Sequence, residues 1–402
     1  MPDNTVYSKI FAMEPLLPTQ RRPELSELTA ELLRKIGRIS GQVHSPVVRC
    51  KLAGLLRWMN CYYSNLIEGH KTEPRDIERA LRADYSRDPI KRDNQKLSKA
   101  HIEVESLMVA RLEEASVDIY EPGFIRWLHR EFYERLPESM RRAKTGSGEI
   151  YRITPGAYRD FMVSVGRHTP PHFESLCAFM ERFCDYYGAD AIHETDRLLA
   201  IASAHHRLAW IHPFGDGNGR VTRLYSHAML VRHGLDGDGL WSLSRGLARH
   251  RQRYYETLAG ADHQRRGDHD GRGNLTERGL AGFCEFFLLT MLDQVDFMSE
   301  RLDLPGLRAR IDRFFQLEMR HLGKDAEFLM RVVRALVDEG EFSRGRVQDI
   351  TGRKETFCRR IIQLGLAEGL MESPGPKGVL RIAFPVKVLD GYFPKLFLAL
   401  DG

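Results

Sequence analysis

The sequence has few cysteines, no long apolar run and little excess of either charge, and each shortage removes a class of protein. Its six cysteines, Cys50, Cys61, Cys177, Cys184, Cys284 and Cys358, are spread over 402 residues and form no CxxC pair. That spacing argues against a zinc or disulfide framework and fits buried thiols in a reducing compartment. No stretch approaches the roughly 18 consecutive apolar residues of a membrane span. Residues 1–22 carry Asp3 and several prolines where a signal peptide needs an unbroken apolar core. A cytoplasmic protein with no membrane partner is expected. Lys plus Arg number 60 against 55 Asp plus Glu, a net charge of +5, too small over this length to announce a nucleic-acid protein. Any basic patch must be local. What is present is an ordinary globular composition, 42% apolar and 29% charged, over a length that predicts two or three domains.

Apolar residues recur at three- and four-residue steps through residues 24–39, 52–67, 102–112, 124–136, 173–187, 195–210, 221–233, 252–258 and 280–302, which predicts a mainly α body. One segment departs from this period. In residues 158–165, Tyr158, Phe161, Val163 and Val165 approach a period of two, bounded by Pro155-Gly156 and Gly166, and a short β-hairpin is expected there. Residues 261–276 are polar and glycine-containing, as in a solvated loop. Beyond residue 304 come helical patterns at 307–322, 328–339, 343–350 and 353–366, then an extended 371–384 broken by Pro374-Gly375-Pro376. Two short helices around a Gly turn, followed by a hairpin, predict a winged helix-turn-helix. The expected division is residues 1–110 as an N-terminal helical region, 111–304 as a catalytic core and 305–402 as the winged-helix domain.

The string from His212 to Arg223, HPFGDGNGRVTR, concentrates the chemistry. Gly215, Gly217 and Gly219 let backbone N–H groups approach an anion closely, and the helix that starts near Gly219 adds its positive N-terminal dipole. Arg220 and Arg223, three residues apart, can turn both guanidinium forks to one polyphosphate. Asp216 beside such phosphates suits Mg²⁺, which takes one or two carboxylates together with phosphate oxygens and water. His212 remains as the group able to take a proton from a hydroxyl near neutral pH. The DxNG fragment does not make an EF-hand, because His227 stands where a bidentate Glu is required, and the Walker A pattern GxxxxGK[ST] is absent from the chain.

This string resembles the HxFx(D/E)GNGRxxR signature of the Fic (Fido-fold) family. The likeness extends over roughly residues 25–292: residues 196–211 resemble the helix that leads into the signature, and 156–171 resemble a flap that docks the target. The resemblance implies a protein adenylyltransferase, in which a target Ser, Thr or Tyr hydroxyl attacks the α-phosphate of ATP and releases pyrophosphate. It further implies His212 as general base and Asp216 as Mg²⁺ ligand. Gly215, Gly217, Asn218 and Gly219 would cradle the phosphates, Asn218 also counting with Arg220 among the catalytic residues; Arg220 would meet the transition state and the phosphates, and Arg223 would clamp the γ-phosphate. Tyr254 and Tyr255 would lie against the adenine, while Tyr158, Met162 and Val163 would lie in the target-docking flap. ATP and Mg²⁺ are the cofactors so implied. The partners would be a target protein and the chain itself by self-modification, with a homodimer as an allowed state. UMP or phosphocholine transfer and hydrolytic removal of AMP are the alternatives on the same fold.

A second string, Ser64-Asn65-Leu66-Ile67-Glu68-Gly69, ends an apolar helix. It places Ser64 and Glu68 one turn apart on one face, with Gly69 as the stop. It resembles the (S/T)xxxE(G/N) inhibitory motif of the same family, which implies that Glu68 pairs with Arg223. Residues 342–360 hold six basic residues, Arg344, Arg346, Arg353, Lys354, Arg359 and Arg360, against Asp349 and Glu355. That makes DNA a further candidate partner, in a regulator whose Fic-like module senses nucleotide, although winged helices also serve as protein-docking modules.

Overall fold

Every apolar run of helical period becomes a helix in the computed structural model, which describes residues 7–144, 150–188 and 192–397. The first six residues of the stretch read for a signal peptide lie outside these. In chain order the helices are α1 (Arg22–Gln42), α2 (Pro46–Ile67), α3 (Pro74–Leu81), α4 (Pro89–Leu112), α5 (Pro122–Glu134), α6 (Leu176–Gly188), α7 (Arg197–Ile211), α8 (Asn218–Arg232), α9 (Leu243–Arg249), α10 (Arg251–Asp262), α11 (Glu277–Leu302), α12 (Leu304–Glu318), α13 (Asp325–Glu339), α14 (Arg346–Thr351), α15 (Glu355–Ala367) and α16 (Val386–Tyr392). Pro74, Pro89 and Pro122 each open a helix, at the position where a missing N–H loses no bond. The Asp88 side chain accepts from the Ile90 and Lys91 amides to cap α4. Among the described residues no helix is long and apolar enough to cross a membrane.

The contacts divide the chain into two compact units, Met1–Arg34 with Asn60–Asp236 and Leu243–Asp293, and Lys35–Met59 with Gly237–Ser242 and Gln294–Gly402. This differs from the three-way division read from the sequence. Nothing separates the chain near residue 110, because α4 and α5 pack on each other and on α8. Residues 35–59 join the C-terminal unit because they are tied into it: Ser45 Oγ donates to the Glu339 carbonyl at 3.2 Å, and Lys51 pairs with Glu372. Gly340, at φ +84°, leaves room for Ser45 and Val47, where any side chain would collide.

The first unit is built around α7, nearly every residue of which from Leu198 to Ile211 is buried. Helix α7 packs against α8, α6 and α10. A helix apolar on all sides is a central one. The small β-hairpin forms upstream of its expected place: β1 (Arg142–Lys144) pairs antiparallel with β2 (Ile150–Arg152). Residues 158–168 follow as an irregular segment closed by one Val165–His168 bridge. The period-two reading fails there because Arg159 is buried while Tyr158 beside it also packs inward, with its ring 5.8 Å from that of Phe214.

In the second unit, β3 (Glu341–Phe342), β4 (Met371–Glu372) and β5 (Leu380–Ile382) form an antiparallel sheet in the order β3-β5-β4. Leu329, Val332, Val333 and Leu336 of α13 are buried, as are Ile361 and Ile362 of α15 and Leu380 and Ile382 of the sheet. Helix, strand, two helices and hairpin in this order are compatible with a winged helix-turn-helix. Five of its six basic residues are engaged within the unit, Arg353 over the rings of Phe328 and Phe357. Arg344 donates to the Gly378 and Gly375 carbonyls of the wing, and Arg346, Arg359 and Arg360 pair with Glu339, Glu355 and Asp325.

Candidate active site

Helix α7 ends at His212, a non-glycine residue in the left-handed region at φ +49°, a conformation costing about 1 kcal/mol. The His212 amide donates to the Leu208 carbonyl at 3.1 Å, which caps the helix as a glycine ordinarily would. The chain then turns through residues 213–217 into α8. The turn is closed by Asn218, whose Oδ1 accepts from the Phe214 amide at 2.9 Å while its Nδ2 donates to the Phe214 carbonyl at 2.8 Å. Both ends of that amide are thus engaged by the loop itself. Asn218 therefore shapes the cradle, and the second N–H of its Nδ2 remains for a phosphate oxygen. Phe214 is fully buried, stacked on His129 at 4.0 Å between ring centroids.

Helix α5 supplies residues the sequence did not single out. Tyr133 donates its hydroxyl to Asp216 Oδ2 at 2.6 Å, and its ring lies against Gly217, which at φ +79° has no side chain to obstruct it. His129 Nδ1 accepts from the Gly156 amide at 2.9 Å, so its proton is on Nε2, 3.3 Å from the Asp216 carbonyl. Burial opposes ionisation of Asp216, but Arg220, the Tyr133 hydroxyl and the Gly217 amide outweigh it and hold the carboxyl below its ordinary range. Arg220 is buried over the Phe132 ring, and among the described residues its Nε finds no acceptor.

Arg223 is the meeting point of the two motifs. Its Nε donates to Ser64 Oγ at 2.9 Å, and its Nη2 donates to the Ser64 carbonyl at 3.0 Å and to Glu68 Oε1 at 2.6 Å. Helix α2 stops at Ile67, and Gly69 turns the chain away at φ +87°. Glu68 sits just past the helix end with its carboxylate against Gly219, where any Cβ would collide with Oε1. A carboxylate thus rests at the N-terminus of α8, where anions are favoured. Burial works against its charge, yet Arg223 and Arg220 keep Glu68 ionised below its usual range.

The two tyrosines of α10 separate. Tyr254 is buried, its hydroxyl 2.8 Å from His205 Nε2, so it supports the floor of the site and does not offer a face to a base. Tyr255 is 42% exposed and donates to the Ile67 carbonyl at 3.2 Å. In the flap, Met162 is exposed, Val163 half-buried, and Tyr158 packs towards Phe214. The rings of Tyr151 and Phe161, 4.2 Å apart, cover Gly215.

Burial pushes the imidazoles of His212 and His129 down to about 4. The unfolded chain binds those protons near the ordinary value of about 6.5, so it holds more protons than the folded one between about pH 6.5 and 4. Stability is full above that window and falls as pH drops through it. Asp216 and Glu68, held low, add to the loss only as pH falls below the carboxylate range. Thermal melts are expected to decline from pH 6.5 downwards, and a flat profile to pH 4.5 would contradict the buried neutral imidazoles.

A half-buried histidine thus stands beside a glycine-lined helix N-terminus, together with two guanidinium groups and the carboxylates of Asp216 and Glu68, an arrangement suited to binding an anion. Residues 120–230 match the Fic/DOC family model. It is 38% identical over 87 residues to a protein adenylyltransferase Fic of Drosophila willistoni, a match covering 22% of this chain and 18% of that one. It is 28% identical over 273 residues to one of Nematostella vectensis, covering 64% and 58%. The chain thus spans between about a fifth and three fifths of the length of these relatives. The fold is similar to a Fic family protein from Desulfovibrio desulfuricans, with a TM-score of 0.55 and 19% identity over 92% of this chain and 98% of that one.

Proposed function

We propose that the chain transfers AMP from ATP to a Ser, Thr or Tyr hydroxyl of a protein, its own included, and that Glu68 holds this activity in check. The observation that carries the reading is the Glu68 carboxylate seated on Gly219 and Arg223: an anion already occupies the place where a polyphosphate would end. The buried Arg220 Nε without an acceptor fits a further phosphate oxygen.

His212 is neutral across the physiological range. With its Nδ1 3.3 Å from the Ala209 carbonyl, an oxygen that can only accept, the ring proton belongs on Nδ1 and the lone pair on Nε2. That lone pair takes the proton of the incoming hydroxyl as its oxygen bonds to the α-phosphorus. The bond to the β-phosphate bridging oxygen breaks and pyrophosphate leaves. The protein forms no covalent intermediate; its contribution is positioning and charge neutralisation.

Asp216 is the residue that would hold Mg²⁺. Its Oδ2 accepts from Tyr133, which leaves Oδ1 as a hard oxygen donor beside the cradle, a donor set that fits an ion retaining water and phosphate oxygens. Bound there, the ion would neutralise phosphate charge. Asp216→Asn is expected to weaken ATP binding at least tenfold with magnesium present and little without it, by titration calorimetry; equal loss in both conditions would assign Asp216 a structural part only.

The test of the function is intact-mass analysis of the Glu68→Gly protein after incubation with ATP and magnesium. Gain of one AMP per site is expected. Gain of UMP or phosphocholine from other donors, with none from ATP, or only removal of AMP from modified protein, would replace this reading with one of its relatives.

A further inference from the structure

The last carbonyls of a helix need donors from elsewhere, and at the end of α7 the flap provides them. His168 Nε2 donates to the Trp210 carbonyl at 2.7 Å. Arg159 Nε donates to the His212 carbonyl at 2.9 Å, and the Arg159 amide donates to the Pro213 carbonyl at 2.9 Å. The rest of the same guanidinium reaches back into the flap: Nη1 to the Phe161 carbonyl at 2.9 Å and Nη2 to the Pro171 carbonyl at 2.6 Å. Arg159 is 2% exposed and all these acceptors are neutral, so burial lowers its pKa to about 10. A buried cation without a carboxylate is an expensive way to join two loops. An apolar side chain would fill the space, but only a planar fork of five donors satisfies three carbonyls that diverge from one point.

We propose that Arg159 is a positioning residue that locks the flap to the backbone of His212, so that docking of a target segment and placement of the general base are one event. The proposal rests on the AMP-transfer reading. His212 sits in a left-handed conformation, and among the described residues its ring makes one hydrogen bond, to the Ala209 carbonyl at 3.3 Å, so its ring direction depends on its backbone. That backbone is held on one side by α7 and on the other by Arg159. Residues 160–168, between Arg159 and His168, are pinned at both ends to the same helix terminus and paired to themselves only at Val165 and His168.

The test uses the full-length chain in the Glu68→Gly background with magnesium-ATP and the chain's own hydroxyls as acceptor. Arg159→Lys keeps the charge but cannot reach three carbonyls at once. It is expected to lower the rate of AMP transfer at saturating ATP at least tenfold, leave the ATP dissociation constant within twofold, and speed hydrogen exchange at the Val165 and His168 amides. Arg159→Gln should do the same and, in addition, move the acid limb of the pH–rate profile upwards. Arg159 is one of the charged or titratable groups facing His212, together with His168 and Asp216, and its loss makes protonation of the imidazole easier. If neither variant folds, His168→Gln carries the test through the other pin, with the same separation of rate from ATP binding. An unchanged rate in a folded variant, or rate, ATP affinity and melting temperature falling together, overturns the proposal. A Glu68→Gly parent that transfers nothing would instead overturn the function on which it stands.

Discussion

Replacing Glu68 with glycine is expected to raise self-modification by an order of magnitude or more. The carboxylate and a γ-phosphate compete for the same Nη2 of Arg223, and Glu68 holds its place with a 2.6 Å charge-assisted bond at a helix N-terminus. A tenfold rise corresponds to about 1.4 kcal/mol in favour of the productive pose, modest for a contact of this kind. Arg223 should stay in place without its partner, since Ser64 Oγ and the Ser64 carbonyl still accept from it. Arg223→Ala should not be rescued by the second change, because the clamp itself is then missing. Acid will not imitate the mutation: Glu68 is held below the ordinary carboxylate range, so pH 6 leaves it charged. Equal rates in the parent and Glu68→Gly, measured by labelled-ATP incorporation, would sink the autoinhibition.

The cradle was legible because its residues are contiguous. A turn that must approach an anion needs glycines, and a helix start next to it needs no tertiary information. Ser64 and Glu68 were legible as a pair because one helical turn separates them, but their partner, 155 residues or more away, came from the family likeness. Tyr133 and His129 were not legible: both lie on the buried face of α5, where an aromatic or imidazole reads as core. Arg159 was missed for a related reason, since a buried arginine without a carboxylate is the exception that composition cannot announce. Asn218 shows the converse. Its place in the motif was clear, yet a primary amide serves a phosphate or a backbone equally well, and only the fold directs it to Phe214. Tyr254 and Tyr255 differ by one residue and hence by about 100° around α10, which is enough to bury one and expose the other.

His212→Ala is expected to abolish AMP transfer while leaving ATP binding within a few-fold of the parent. The cradle consists of backbone N–H groups at the start of α8 with Arg220 and Arg223, and none of these depends on the imidazole. The turn is closed by Asn218 and by the Arg159 contacts to the His212 and Pro213 carbonyls, which alanine retains. Histidine already bears the cost of the left-handed backbone at this position, so alanine adds little strain and the melting temperature near neutral pH should change little. General-base catalysis typically contributes 10²–10⁴-fold, and a serine or tyrosine hydroxyl is a poor nucleophile without it, so the loss should be at least a hundredfold in the Glu68→Gly background. The same change removes one of the imidazoles buried in neutral form, so the variant's stability should fall less steeply between pH 6.5 and 4 than the parent's. Kinetics and melts together separate the two roles of this residue. Transfer that survives at a tenth or more of the parent rate would show that another group takes the proton, and ATP binding lost in step with rate would make His212 a structural cap of α7.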